Sequence, residues 1–122
     1  MSENEEKRAD DLFHALSDRT RRDILRRVLA GEHSVSTLAQ GYDMSFAAVQ
    51  KHVAVLERAG LVSKRRSGRE ALASGEVEAI RSVAVLLEEL EAVWRGRIER
   101  IDDLLAAPAP APVDGAGRRG DT

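Results

Sequence analysis

Apolar residues recur every three or four positions along the first sixty residues, the spacing of one buried face on an α-helix. In "RADDLFHAL", Leu12, Phe13 and Leu16 share such a face. In "SDRTRRDILRRVLAG", Ile24, Leu25, Val28 and Leu29 form a second one. Ser17 or Asp18 suits the N-cap of this helix, Arg26 and Arg27 suit the negative end of its dipole, and Gly31 ends it by taking the left-handed conformation. His33–Val35 is too short for a helix and fits the edge of a small sheet. A short helix over Thr37–Gln40 follows, with Ser36 as its cap, Leu38 and Ala39 inward, and Gly41 as its stop. "YDM" is a turn. Ser45 then caps "MSFAAVQKHVAVLERAGLV", in which Val49, Val53 and Leu56 point to one side and Gly60 closes the helix.

After Gly60 the period changes. Leu61 and Val62 lead into Ser63–Arg66, Ser67-Gly68 is a turn dipeptide, and Arg69–Ala73 returns, which predicts a β-hairpin with basic arms. From about Gly75 to Ala106 the helical period resumes without a break, through Ile80, Val83, Leu87, Leu90, Trp94, Ile98, Ile101 and Leu105. A helix of that length spans about 45 Å, too long for the preceding segment to cover, so its seam predicts a partner helix from a second copy. The expected organisation is a disordered N-terminus (1–8), a compact domain (9–74), a long dimerisation helix (75–107) and a disordered Pro/Gly-rich tail (108–122), whose Arg118 and Arg119 either graze DNA nonspecifically or serve only as a solubilising end.

Composition narrows the function. Aromatic residues are 3% of the chain, so the core is aliphatic, and the absence of cysteine excludes disulfides and thiolate metal sites. The opening "MSENEEKRADDLF" is acidic and polar, unlike a signal peptide, and no apolar run reaches the roughly 18–20 residues that span a bilayer. A cytoplasmic, nucleoid-associated location is expected, with no membrane partner. The net charge of −2 hides a segregation: residues 1–16 carry −3, residues 17–69 carry +6 and residues 70–122 carry −5. A basic middle between acidic flanks predicts that the middle meets a polyanion. No Gly-rich phosphate loop, nucleophile elbow or metal cluster is present, so no catalytic residue, metal ligand or cofactor is assigned.

Short helix, turn, capped helix and basic hairpin, in that order, outline a mainly α fold with a small β-hairpin: a winged helix-turn-helix with a long C-terminal dimerisation helix. The major groove of DNA admits one α-helix, whose first residues reach the base edges. Here the front of the capped helix offers Ser45, Phe46, Ala47, Gln50 and Lys51. Gln50 matches adenine bidentately, Lys51 reaches guanine or phosphate, and Ser45 suits a phosphate at the helix start. Lys64, Arg65, Arg66 and Arg69 on the hairpin would grip phosphates or the minor groove. Each part has an ordinary counterpart: a polar face is commonly just solvated, Phe46 simply covers a helix start, and Trp94 is an apolar anchor. His52 lies between the buried and exposed faces and reads as a phosphate contact or a packed ring. A platform for protein partners, built on the acidic C-terminal half, is the alternative reading.

The stretch from "LFHALSDRTRRDILRRVLAG" through "MSFAAVQKHVAVLERAGLV" to the turn "RRSGR" resembles the ArsR-like family of bacterial winged-helix regulators. The resemblance covers about Asp11 to Glu70. It implies a homodimer joined by the first and last helices, here Leu12, Leu16, Leu87, Leu90, Trp94, Ile98 and Ile101. It also implies a double-stranded DNA target with an imperfect inverted repeat, and transcriptional repression, on its own or a neighbouring operon, relieved by a small-molecule inducer. Metal-sensing members of the family bind their ion through cysteines near the position of "VSTLAQ", or through histidines on the last helix. This chain has no cysteine and no histidine after residue 75, so family-type metal sensing is not expected.

Overall fold

The computed structural model describes residues 2–106. Four helices begin at side-chain caps. Ser2 opens α1 (Glu3–Leu16) with a capping box: its hydroxyl accepts from the Glu5 amide and its own amide donates to the Glu5 carboxylate. Residues 3–8, expected to be disordered, are therefore helical, because "SENE" satisfies two otherwise orphan N–H groups. Asp18, not Ser17, caps α2 (Arg19–Ala30) by accepting from the Arg21 amide at 3.0 Å. Ser34, not Ser36, caps α3 (Val35–Gln40), accepting from the Thr37 amide at 3.0 Å. Helix α3 therefore starts two residues before its expected position. Ser45 caps α4 (Phe46–Arg58) as expected, accepting from the Ala48 amide at 3.1 Å.

Two glycines act differently. Gly31 ends α2 with φ 175°, an extended conformation open to any residue, so the left-handed stop expected there is absent. Gly60 has φ +82° and closes α4: its amide donates to Glu57 O, and the Leu61 amide to Leu56 O. That paired return seats Leu61 in the core with no exposed surface.

Three strands follow the order β1-β3-β2, all antiparallel: β1 (His33–Ser34), β2 (Val62–Ser67) and β3 (Glu70–Gly75). Ser67 pairs with Glu70, so the hairpin turn is Gly68-Arg69, one residue later than the sequence indicated. Gly68 takes φ +64° while Arg69 keeps a negative φ, the pattern of a two-residue turn with glycine first. The last helix, α5, runs Val77–Ala106.

The chain divides between Ala84 and Val85 into two compact units. The first holds the core: Leu12 and Ala15 of α1, Ile24, Leu25 and Val28 of α2, Val49, Val53 and Leu56 of α4, with Leu38, Leu61, Val62 and Ala73. Its aliphatic make-up follows the composition. Leu12 is 3% exposed inside this unit. Little of its surface is left for a second copy to cover, and Leu16 is half-buried at the core's margin. Within the second unit, residues 85–106 are helical and none is buried. Leu87, Leu90, Trp94, Ile98 and Ile101 are all exposed there, and the Arg97 guanidinium lies 5.7 Å from the Trp94 ring centroid. The helix end at 107 and the Pro/Gly-rich tail lie outside the described residues. Among those described, no helix is long and apolar enough to cross a membrane.

Candidate nucleic-acid interface

Helix α4 buries Val49, Val53 and Leu56 completely, which fixes the opposite face outward. Ala47 and Lys51 are exposed on that face, Ser45, Phe46 and Gln50 are exposed at the front of the helix, and His52 is half-buried. Phe46 shows 46% of its surface, a large apolar residue standing open at the helix start. The Ser45 hydroxyl caps the helix through its lone pair, and its O–H has no acceptor among the described residues.

The hairpin folds back toward this face. Phe46 and Gln50 of α4 line one cleft of about 160 Å³ together with Lys64, Arg66 and Arg69 of the hairpin. Val35 and Ser36 of α3, Val53 of α4, and Glu70 and Ala71 of β3 complete its wall, so one carboxylate shares the cleft with the cations. The structure thus brings five of the ten sequence-assigned contact residues around a single opening.

The hairpin cations are not equivalent. Arg65 makes a bidentate pair with Glu32, at 3.0 and 2.8 Å, and Ser74 donates to the same carboxylate at 3.0 Å. Those donors hold the Glu32 carboxyl below its ordinary range, the Arg65 hydrogen bonds first and Ser74 next. Glu32 therefore ties β2 and β3 to the loop after α2 and neutralises Arg65. Lys64 lies 3.3 Å from Glu57. Arg66, Arg69 and Lys51 make no ion pair among the described residues. Sequence alone could not separate these cations, since Glu32 and Arg65 are 33 positions apart and meet only through the fold.

Two further clusters hold the helices in place. Asp23 of α2 accepts from the Tyr42 hydroxyl at 2.6 Å and pairs with Arg27 at 3.2 Å, while the Arg27 guanidinium lies 4.8 Å from the Tyr42 ring centroid. This fastens the turn between α3 and α4 to α2. Burial, reinforced by donation to Asp23, pushes the Tyr42 hydroxyl up to about 12. At the corner between α1 and α2, Arg21 is 9% exposed and donates to Ala15 O and His14 O, while Arg22 donates to Leu16 O. These guanidinium groups satisfy the last carbonyls of α1 at the negative end of its dipole. A broader open cleft of about 590 Å³ lies between α1, the end of α4 and the start of α5, with Lys7, Arg8, Asp11, Arg58 and Glu78 on its walls. Among the described residues no group of three or more His, Cys, Asp or Glu is placed to hold a metal ion.

A three-helix core with a short helix, a tight turn, an outward-facing helix and a basic hairpin is a winged helix-turn-helix. Residues 16–65 match the family model described as a helix-turn-helix domain. A solved ArsR-like transcriptional regulator from Rhodococcus sp. RHA1 is 32% identical and superposes with a TM-score of 0.71, over 80% of this chain and 92% of that one. The transcriptional repressor SdpR of Bacillus subtilis (strain 168) is 30% identical over 60 residues, 49% of this chain and 67% of that protein. The homodimeric winged helix-turn-helix DNA-binding domain of Mb0332 from Mycobacterium bovis shares the fold, with a TM-score of 0.60 at 21% identity, over 75% of this chain and 88% of that one. The chain belongs to the ArsR family of winged-helix, DNA-binding transcriptional regulators.

Proposed function

We propose that the protein is a homodimeric repressor that reads an imperfect inverted repeat in double-stranded DNA and works without a family-type metal site. One observation carries the reading: the cleft in which the exposed front of α4 meets two hairpin arginines, Arg66 and Arg69, that make no ion pair among the described residues. In this reading Ser45, Phe46, Ala47, Gln50 and Lys51 enter the major groove, with Gln50 and Lys51 on base edges. Arg66 and Arg69 then hold the phosphate backbone, and Lys64 joins them when Glu57 yields it. The dimer rests on the second unit, whose exposed apolar residues Leu87, Leu90, Trp94, Ile98 and Ile101 repeat at helical spacing and ask for cover. Repression parallels SdpR, and a small-molecule inducer would act on the same dimer.

Selection of tight-binding sites from a pool of random duplexes tests this reading. The expected product is an inverted repeat with half-site centres about one DNA turn, roughly 34–36 Å, apart. A reporter placed behind that site should fall when the protein is expressed. A pool that yields no enriched motif overturns the specific-repressor reading, and no binding at low salt would favour a platform for protein partners instead.

A further inference from the structure

We infer that Arg21 is a positioning residue for DNA binding: from inside the first unit it fixes the His52 ring in the tautomer protonated on Nε2, so that this N–H donates to a backbone phosphate. The inference rests on the proposed DNA-binding role of α4.

Arg21 is itself held. Its Nε donates to Ala15 O at 2.8 Å and one Nη to His14 O at 3.0 Å, so the guanidinium cannot turn away. Its other Nη lies 3.3 Å from His52 Nδ1. A guanidinium has donors only and keeps its charge, so Nδ1 must be the atom with the lone pair. A neutral ring then carries its proton on Nε2.

The other charged group facing Nδ1 is the Asp18 carboxylate, at 4.0 Å. That is beyond hydrogen-bond distance, and the same oxygen already accepts the Arg21 amide. A proton on Nδ1 would instead point an N–H at a cation. Distance, and the prior claim of the Arg21 amide on the Asp18 oxygen, select Arg21 as the partner of the ring. Nε2, across the ring, makes no hydrogen bond among the described residues, and the side chain keeps 22% of its surface exposed. His52 directly follows Gln50 and Lys51 on α4.

This contact differs in kind from those of the hairpin. A neutral N–H adds a hydrogen bond to a phosphate but neutralises none, so it releases no counterion. Its loss should lower affinity and leave the salt dependence unchanged.

The test uses the full-length protein and the tightest duplex from a random-sequence selection. Nitrogen-15 imidazole spectra at neutral pH should show His52 protonated on Nε2 and bare on Nδ1. His52→Ala should weaken binding about tenfold, the scale of one hydrogen bond to a charged group, with the slope of log affinity against log salt unaltered. His52→Gln, whose amide can reach the Nε2 position, should restore most of the loss; the shorter His52→Asn should not. Arg21→Lys, checked for folding by circular dichroism, should mix the tautomers and weaken binding, yet cause no further loss in the His52→Ala background. An Nδ1–H or charged ring, wild-type affinity in His52→Ala, or a slope reduced by about one in that variant would each overturn the inference. If wild-type protein binds no duplex, the DNA-binding reading falls and the phosphate contact with it, while the spectra still test the hold of Arg21 on the ring.

Discussion

Residues of one type take different parts according to what the fold sets beside them. Arg66 and Arg69 line the cleft with no ion pair among the described residues, whereas Arg65 is clamped by Glu32. Arg66→Ala and Arg69→Ala should each weaken binding to every sequence and lower the salt slope by about one. Glu32→Gln should do the opposite, releasing Arg65 and steepening the slope; filter-binding titrations over a salt series check both signs. Gln50→Ala should instead relax discrimination at one base pair by about 1–3 kcal/mol, read from a base-substitution scan of the selected site. The sequence pointed to all four hairpin cations and to Gln50 through charge and position. It could not rank the cations, because their carboxylate partners come from other elements. Arg21 was invisible as a buried group for the same reason: it counted as one more positive charge in a basic segment until the fold enclosed it.

At the scale of the elements, most boundaries were legible because local chemistry sets them. The apolar period located α2, α4 and α5, and Ser45 and Gly60 marked the ends of α4. One misplacement came where two caps competed. Ser34 and Ser36 stand two residues apart, and Ser34 wins because pairing with Leu72 in the sheet already holds its backbone extended. Ser2 was passed over for lack of an apolar period nearby, although its spacing to Glu5 is a capping box. The caps have a pH consequence. Glu5 and Asp18, with Glu32 of the loop after α2, have carboxyl groups lowered in the folded state, the first two chiefly by the hydrogen bonds of the caps themselves. A depressed folded value means stability is fully present above the unfolded value of about 4 and drains away as pH falls through the folded one. Denaturant midpoints should therefore fall as the pH is lowered through and below about 4, and Asp18→Asn should flatten part of that drop. Asp18→Ala at pH 7 should cost roughly 0.5–2 kcal/mol as a lost cap. Leu56→Ala, a cavity in the fully buried face of α4, should cost about 2–5 kcal/mol in the same assay.

For the whole molecule, the central matter is how one chain of net charge −2 meets a polyanion. Segregation answers it, since residues 17–69 carry +6 and supply α4 and the hairpin. In the proposed homodimer the exposed apolar residues from Leu87 to Ile101 would pair two copies, each presenting one reading head. Trp94→Ala should shift sedimentation toward monomer at low micromolar concentration and weaken binding to a two-half-site duplex far more than to a single half-site. A fully dimeric Trp94→Ala would remove the anchor role of the tryptophan. The most direct measurement is affinity for the selected duplex and for a scrambled duplex of equal length, each across a series of salt concentrations. The account predicts two steep lines, both falling with salt, with the selected duplex bound at least about a thousandfold more tightly at physiological salt. Coincident lines would mean that the protein holds phosphates without reading bases, and would contradict the role given to the exposed face of α4.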